Sequence, residues 1–277
     1  MNKKVPVIGI QGALGSYHHQ VARACYGEQA TFLECMRFDS LLEALFQEDC
    51  DIAVMALENS IAGSILPNYA LIDRMGGVII GEYYLSVQHQ IMALPGQSLE
   101  AITEVRSHPM ALLQCREFLS TYPHIRLVEA DDTAAVAAEI QRDKLEHVAA
   151  IASTEASQLN QLEILASDIQ TIKKNVTRFV IVARENTQEN HTFNKASLKI
   201  TLDHKRGSLA TILNVLSDCH MNLTKIQSLP VIETPGKYAF FIDVTFEEPA
   251  AFEKAESLLS IMATSLKILG TYSIIHD

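Results

Sequence analysis

Up to Ala183 the chain alternates short apolar runs with amphipathic stretches of helical period, and that alternation constrains its fold more than any other feature. The runs "VPVIGI", "ATFLEC", "DIAVMAL", "GVIIGEYYL", "VQHQIMAL", "EVRS", "RLVEA", "HVAAIAS" and "RFVIVA" have the length and β-branched content of strands. Between them "YHHQVARACY", "SLLEALFQE", "NYALIDRM", "MALLQCREFLSTY", "TAAVAAEIQRD" and "TEASQLNQL" carry helical spacing. Strands separated by helices predict an α/β protein with largely parallel sheets. The polar segment "RENTQENHTFNK", residues 184–195, has no hydrophobic period and reads as a linker. Beyond it the order changes to strand, helix, strand, strand, helix, strand over 196–277, which predicts a ferredoxin-like βαββαβ domain. A sheet of that kind leaves an edge unpaired, so side-by-side association into a homo-oligomer is expected.

Composition narrows the function. With 22 basic and 33 acidic residues the formal charge is −11, which argues against nucleic-acid binding, because polyanion affinity rests on clustered Lys and Arg. A pocket for a small anion is compatible with that field. The opening "MNKKVPVIGIQG" lacks a targeting h-region and no apolar run approaches membrane length, so a cytoplasmic chain without membrane partners is expected. The five cysteines never form C-x-x-C and H-E-x-x-H is absent, so neither disulfides nor a metal are expected.

Five strand-to-helix junctions carry a hydroxyl or amide where the helix begins: Gly15-Ser16, Asn59-Ser60, Ser107-His108-Pro109, Asp132-Thr133 and Ser153-Thr154. Helix capping explains any one of them. Together they predict a cleft lined by hydroxyls and helix N-termini beyond the carboxyl ends of the strands, suited to a small carboxylate. Gly9, Gly12 and Gly15 have the spacing G-x-x-G-x-x-G rather than that of a dinucleotide fingerprint, and with Glu34 they leave nucleotide binding a minority reading. His108, just before Pro109, reads as a capping or packing residue.

Read in order, "QGALGSYHHQVA", "ENSIAGSI", "SHPMALLQC", "DDTAAVA" and "NVTRF" closely resemble the motifs of the prephenate dehydratases, and "GSLATIL" with "NLTKIQSLP" is similar to the ACT regulatory domain that follows them. The resemblance covers nearly the whole chain. It implies a two-lobed, periplasmic-binding-protein-like catalytic domain over 1–183, with lobe one at 1–83 and 167–183 and lobe two at 84–166, and an ACT domain at 196–277. It further implies conversion of prephenate to phenylpyruvate, carbon dioxide and water without a cofactor. In that mapping Thr177, Asn59, Ser107 and Gln114 are the catalytic polar residues, while Ser60, Thr133, Ser153 and Phe179 line the substrate pocket. Arg178, on the opposite strand face, is expected in a structural ion pair. Phenylalanine control through Gly207, Leu209, Asn222 and Leu223 is implied, as is a homodimer or homotetramer. Met110 departs from the usual Gln, Ser208 from Ala, and Gln227 and Leu229 from a Glu and an Arg. Arogenate dehydratase and a non-catalytic amino-acid sensor are the alternative readings.

Overall fold

The computed structural model describes residues 5–186, 193–203, 205–230 and 238–275. Residues 187–192 of the expected linker lie outside the described residues, and the strand that follows already begins at Lys195. The chain divides into two compact units, Met1–Ile65 with Tyr84–Phe179 and Leu66–Tyr83 with Val180–Asp277.

The elements begin with β1 (Val7–Gln11), α1 (Tyr17–Tyr26), β2 (Thr31–Cys35), α2 (Phe38–Phe46), β3 (Ile52–Asn59), β4 (Gly63–Ser64), α3 (Leu66–Met75) and β5 (Val78–Ser86). Next come β6 (Gln90–Ala93), β7 (Glu104–Ser107), α4 (Pro109–Gln114), α5 (Arg116–Leu119), β8 (Arg126–Glu129), α6 (Thr133–Asp143), β9 (Val148–Ala152), α7 (Thr154–Leu159), β10 (Glu163–Ala166) and β11 (Val176–Ala183). One six-stranded sheet has the order β2-β1-β3-β11-β5, with β4 on β3. A five-stranded sheet has the order β10-β6-β9-β7-β8.

The parallel pairing predicted from the alternation holds where helices intervene: β1 runs parallel to β2 and β3, and β7 to β8 and β9. It fails at β6, which is antiparallel to both β9 and β10. β6 follows β5 through Val87–His89 alone, and a strand entered without a crossover helix is not bound to the parallel direction. The predicted "TEASQLNQL" helix ends early, and β10, a strand not predicted from the sequence, follows it directly. α7 stops at Leu159, and Gln161 turns the chain in the left-handed region, at φ 51°. The single helix read in "MALLQCREFLSTY" is broken at Cys115 into α4 and α5.

Side-chain alternation places a core on each face of the five-stranded sheet. Ile91, Val105 and Ile151 pack with Leu112, Cys115 and Leu119 of α4 and α5 on one face. Met92, Ala150 and Ala152 pack with Ala134, Ala137 and Ile140 of α6 on the other.

In the second unit β12 (Lys195–Thr201), α8 (Ser208–Asp218), β13 (Asn222–Pro230), β14 (Tyr238–Thr245), α9 (Pro249–Met262) and β15 (Ser265–Tyr272) follow the βαββαβ order. Their antiparallel sheet, β13-β14-β12-β15, packs Leu198, Ile200 and Val244 against Ile212, Leu216, Phe252 and Leu259 of the two helices. α3 and most of β5 belong to the same unit: Asp73 meets Lys199 and Lys267, and Gly270 comes so close to β5 that a Cβ there would lie 2.0 Å from the Ile79 carbonyl oxygen. Among the described residues no helix is long and apolar enough to cross a membrane.

Candidate active site

The apolar run of β3 buries Ala53 to Leu57 and delivers Asn59 to the end of its strand. There Ser60 and Val176 tie the ends of β3 and β11 together, the Ser60 N–H donating to the Val176 carbonyl (2.8 Å) and the Val176 N–H to Ser60 Oγ (3.0 Å). The orientation of the Asn59 amide follows from its own turn. Its Oδ1 accepts the backbone N–H groups of Ile61 (3.0 Å) and Ala62 (2.8 Å), so its Nδ2 must face the other way.

The two Nδ2 hydrogens go to Asn175 Oδ1 (2.6 Å) and Thr177 Oγ1 (2.9 Å). Asn175, fully buried, then has only its own Nδ2 left to give, and it donates to Gln114 Oε1 (2.9 Å). Gln114 turns its Nε2 back toward Asn59 Oδ1 at 3.5 Å. It is the last residue of α4, and its carbonyl accepts the Thr171 N–H (2.9 Å).

The chemical consequence lies at Thr177. Because its oxygen accepts from Asn59, the hydroxyl hydrogen remains available to donate outward. A donor held in advance on a residue only 8% exposed is suited to a reaction in which negative charge develops on an oxygen. Activation of the hydroxyl as a nucleophile would need a neighbouring base, and the group that bonds it here is an amide.

The structure brings Asn59, Gln114 and Thr177 of the sequence-selected residues into one network, with Ser60 exposed beside it. Ser107 is fully buried, its Oγ donating to the Ile151 carbonyl (2.6 Å). Thr133 is the half-buried first residue of α6. Ser153 caps α7, accepting from the Ala156 N–H (3.0 Å) and donating to the Gly15 carbonyl (2.6 Å). Phe179 is buried with its ring edge-on to His18 at 5.0 Å, and Arg178 is 4% exposed. None of those five joins the Asn59 network through a described hydrogen bond.

Asn175 and His89 are network members to which sequence reasoning assigned no role. His89 is 3% exposed, with Nε2 2.9 Å from Gln114 Oε1 and Nδ1 2.8 Å from the Tyr17 hydroxyl. Burial lowers its pKa against the opposing bond to Gln114, so the ring is neutral near pH 7. The signal was the polar triplet Gln88-His89-Gln90 opening an otherwise apolar strand.

The glycine loop between β1 and α1 packs within this unit. Gly9 lies within β1, and the Glu34 carboxylate accepts the Leu14 N–H (3.0 Å). At Gly12 a Cβ would fall 2.2 Å from Asp132 Oδ2. Asp132 caps α6 through the Ala135 N–H (2.7 Å), and burial raises its pKa against those hydrogen bonds. In the second unit, Gly207 caps α8 at φ 86°, while Ser208 and Leu209 border a cavity of about 100 Å³ with Leu202, Tyr238 and Phe240. Asn222 and Leu223 open β13 on the exposed sheet edge.

Residues 8–187 match the family described as prephenate dehydratase. The chain is 36% identical to the arogenate dehydratase/prephenate dehydratase 2 of Arabidopsis thaliana, over 96% of this chain and 72% of that one. Among solved structures it is similar to the prephenate dehydratase of Arthrobacter aurescens in complex with L-Phe (TM-score 0.87, 26% identity, covering 96% of this chain and 89% of that one). It is also similar to GqqA, described as a quorum quenching acylase (TM-score 0.86, 27% identity, covering 97% and 98%). With the family match spanning most of the first 187 residues, the chain belongs to the prephenate dehydratase family.

Proposed function

We propose that this chain is a carbon–oxygen lyase converting prephenate to phenylpyruvate, carbon dioxide and water. The observation that carries the reading is the polarity at Thr177: Asn59 donates to its oxygen, which leaves the hydroxyl hydrogen for the departing ring hydroxyl. Loss of the ring carboxylate as carbon dioxide supplies the electron pair that aromatises the ring and expels the hydroxyl. Aromatisation provides the driving force, and the protein's task is to orient a dianion and stabilise charge on the leaving oxygen. A Thr hydroxyl, being a very weak acid, acts as a hydrogen-bond donor and transfers a proton late.

In this reading Thr177 is catalytic and Asn59 and Gln114 orient it, with Ser107, at the end of β7, a further polar residue of the site. Ser60 and Thr133 have the exposure to touch substrate, whereas Ser153 and Phe179 support the walls through Gly15 and His18. The catalytic part extends to Ala183, and residues 196–277 form an ACT domain that binds phenylalanine. Gly207 and Leu209, beside the small cavity, and Asn222 and Leu223, on the sheet edge, are its effector positions. A cytoplasmic homodimer or homotetramer completes the proposal.

Arogenate is the second substrate to weigh, because the Arabidopsis relative's name carries both activities. Acyl transfer has no comparable support, since Thr177 is bonded to an amide rather than to a base. Measuring phenylpyruvate release from prephenate, and phenylalanine release from arogenate, with and without added phenylalanine tests the proposal directly. Turnover of prephenate, reduced by phenylalanine, is the expected result. Absence of turnover on both substrates together with a melting temperature raised by phenylalanine would make the chain a sensor.

A further inference from the structure

The hydrogen-bond directions around Thr177 do not stop at Gln114. The N–H groups of Ile61 and Ala62 fix the Asn59 amide, Asn59 fixes Asn175, and Asn175 requires that Gln114 present its Oε1. That same oxygen lies 2.9 Å from His89 Nε2, so the ring nitrogen there must carry the hydrogen. A neutral His89 then has a bare Nδ1, which faces the Tyr17 hydroxyl at 2.8 Å. Tyr17, the first residue of α1, keeps its hydroxyl hydrogen because burial holds its pKa well above the usual phenol range, but the Gln88 carbonyl at 2.9 Å competes with Nδ1 for that one hydrogen, so the tautomer is set from the Gln114 side.

His89 Nε2 and Asn175 Nδ2 therefore both donate to Gln114 Oε1, while Asn59 Nδ2 donates to Asn175 Oδ1 and to Thr177 Oγ1. We propose that His89 is a positioning residue, whose Nε2–H tautomer holds Gln114 and thereby Asn59 in the orientation that leaves the Thr177 hydrogen free. With the other tautomer, a lone pair at Nε2 would face Gln114 Oε1. Relief by rotating the Gln114 amide would set its NH2 against Asn175 Nδ2 and its oxygen against Asn59 Oδ1. His89 has no described hydrogen bond to Thr177 and acts on it through Gln114 and Asn59, so its effect is expected on the chemical step rather than on substrate affinity.

The inference deepens the proposed function and rests on it for its kinetic part. In the full chain labelled with ¹⁵N-histidine, NMR near pH 7 is expected to show His89 as the Nε2–H tautomer. The labelled His89→Gln protein identifies the signal. Steady-state assays with prephenate are expected to show His89→Leu lowering kcat by about tenfold or more with KM changed less than about twofold. His89→Gln, which keeps a donor near the Nε2 position, is expected to recover most of that loss. An Nδ1–H tautomer in the wild-type protein overturns the proposal. So does unchanged kcat in His89→Leu, or an equal loss in the folded Leu and Gln variants. If the wild-type protein turns over no prephenate, the functional reading fails, and the tautomer measurement still decides the inference.

Discussion

At Thr177 a single hydrogen decides what the residue can do, and Asn59 controls it. Thr177→Val keeps the shape and removes the donor, so kcat should fall by about 10²–10³, the cost of deleting one preorganised donor, while KM changes little. Thr177→Ser restores a hydroxyl in the same hydrogen-bond position and should regain part of the rate. Asn59→Asp is nearly isosteric but has no hydrogen for Thr177, whose own hydroxyl would turn to the new carboxylate. Its kcat should drop at least as far as in Thr177→Val, and an Asp variant with wild-type turnover would refute the orienting role. Asn59, Gln114 and Thr177 could be selected because they fall in "ENSIAGSI", "SHPMALLQC" and "NVTRF", the stretches that resemble the family's motifs. The sequence does not display direction. That property depends on Asn175 and His89, which read only as polar positions near strands until the fold brings them within 3 Å of Gln114.

Elements with a local signal were legible residue by residue. α1 spans Tyr17–Tyr26 as its spacing predicted, with Ser16 capping it, and α6 spans Thr133–Asp143 behind Asp132. β6 and β10 were less legible, because strand direction and the end of α7 depend on partners distant in sequence. Within α1, His18 is buried, accepts the Ala56 N–H through Nε2 (3.2 Å) and packs edge-on against Phe38 and Phe179. Burial lowers its pKa to about 3. A depressed folded-state value means that the unfolded chain binds the proton first, so stability is lost as pH falls below the unfolded value near 6.5. At pH 5 that loss should be about 2 kcal/mol relative to pH 8. Urea titrations at both pH values should show His18→Gln, which keeps an acceptor without a comparable proton, losing that share of the pH dependence. The loop before α1 makes a separate demand. Gly15 sits at φ 90°, and a Cβ there would meet Ala156 Cα at 2.8 Å. Gly15→Ala should therefore cost about 1–3 kcal/mol in denaturant unfolding.

For the molecule as a whole, periodicity along the chain and compactness in space divide the residues differently. The βα pattern of 66–83 looks like its neighbours in the first part of the sequence, and nothing local indicates that Ile79 faces Gly270 or that Glu82 faces Lys195. Those contacts place α3 and Val78–Tyr83 of β5 in the second unit. Glu82 is fully buried and Lys195 is 3% exposed, with Nζ 2.7 and 2.8 Å from the two carboxylate oxygens. Burial removes most of the hydration of both ions, so the pair recovers that cost only while it is intact. Lys195→Met removes a charged partner of the buried Glu82 carboxylate and should destabilise the second unit by about 3–5 kcal/mol. Replacing both ions, as Lys195→Met with Glu82→Leu, tests how much of that loss belongs to the pair itself. A double-mutant cycle in guanidinium reads the coupling: a double variant as unstable as the sum of its singles would mean that each side chain acts through other contacts, whereas a double variant less unstable than that sum assigns the difference to the Glu82–Lys195 pair.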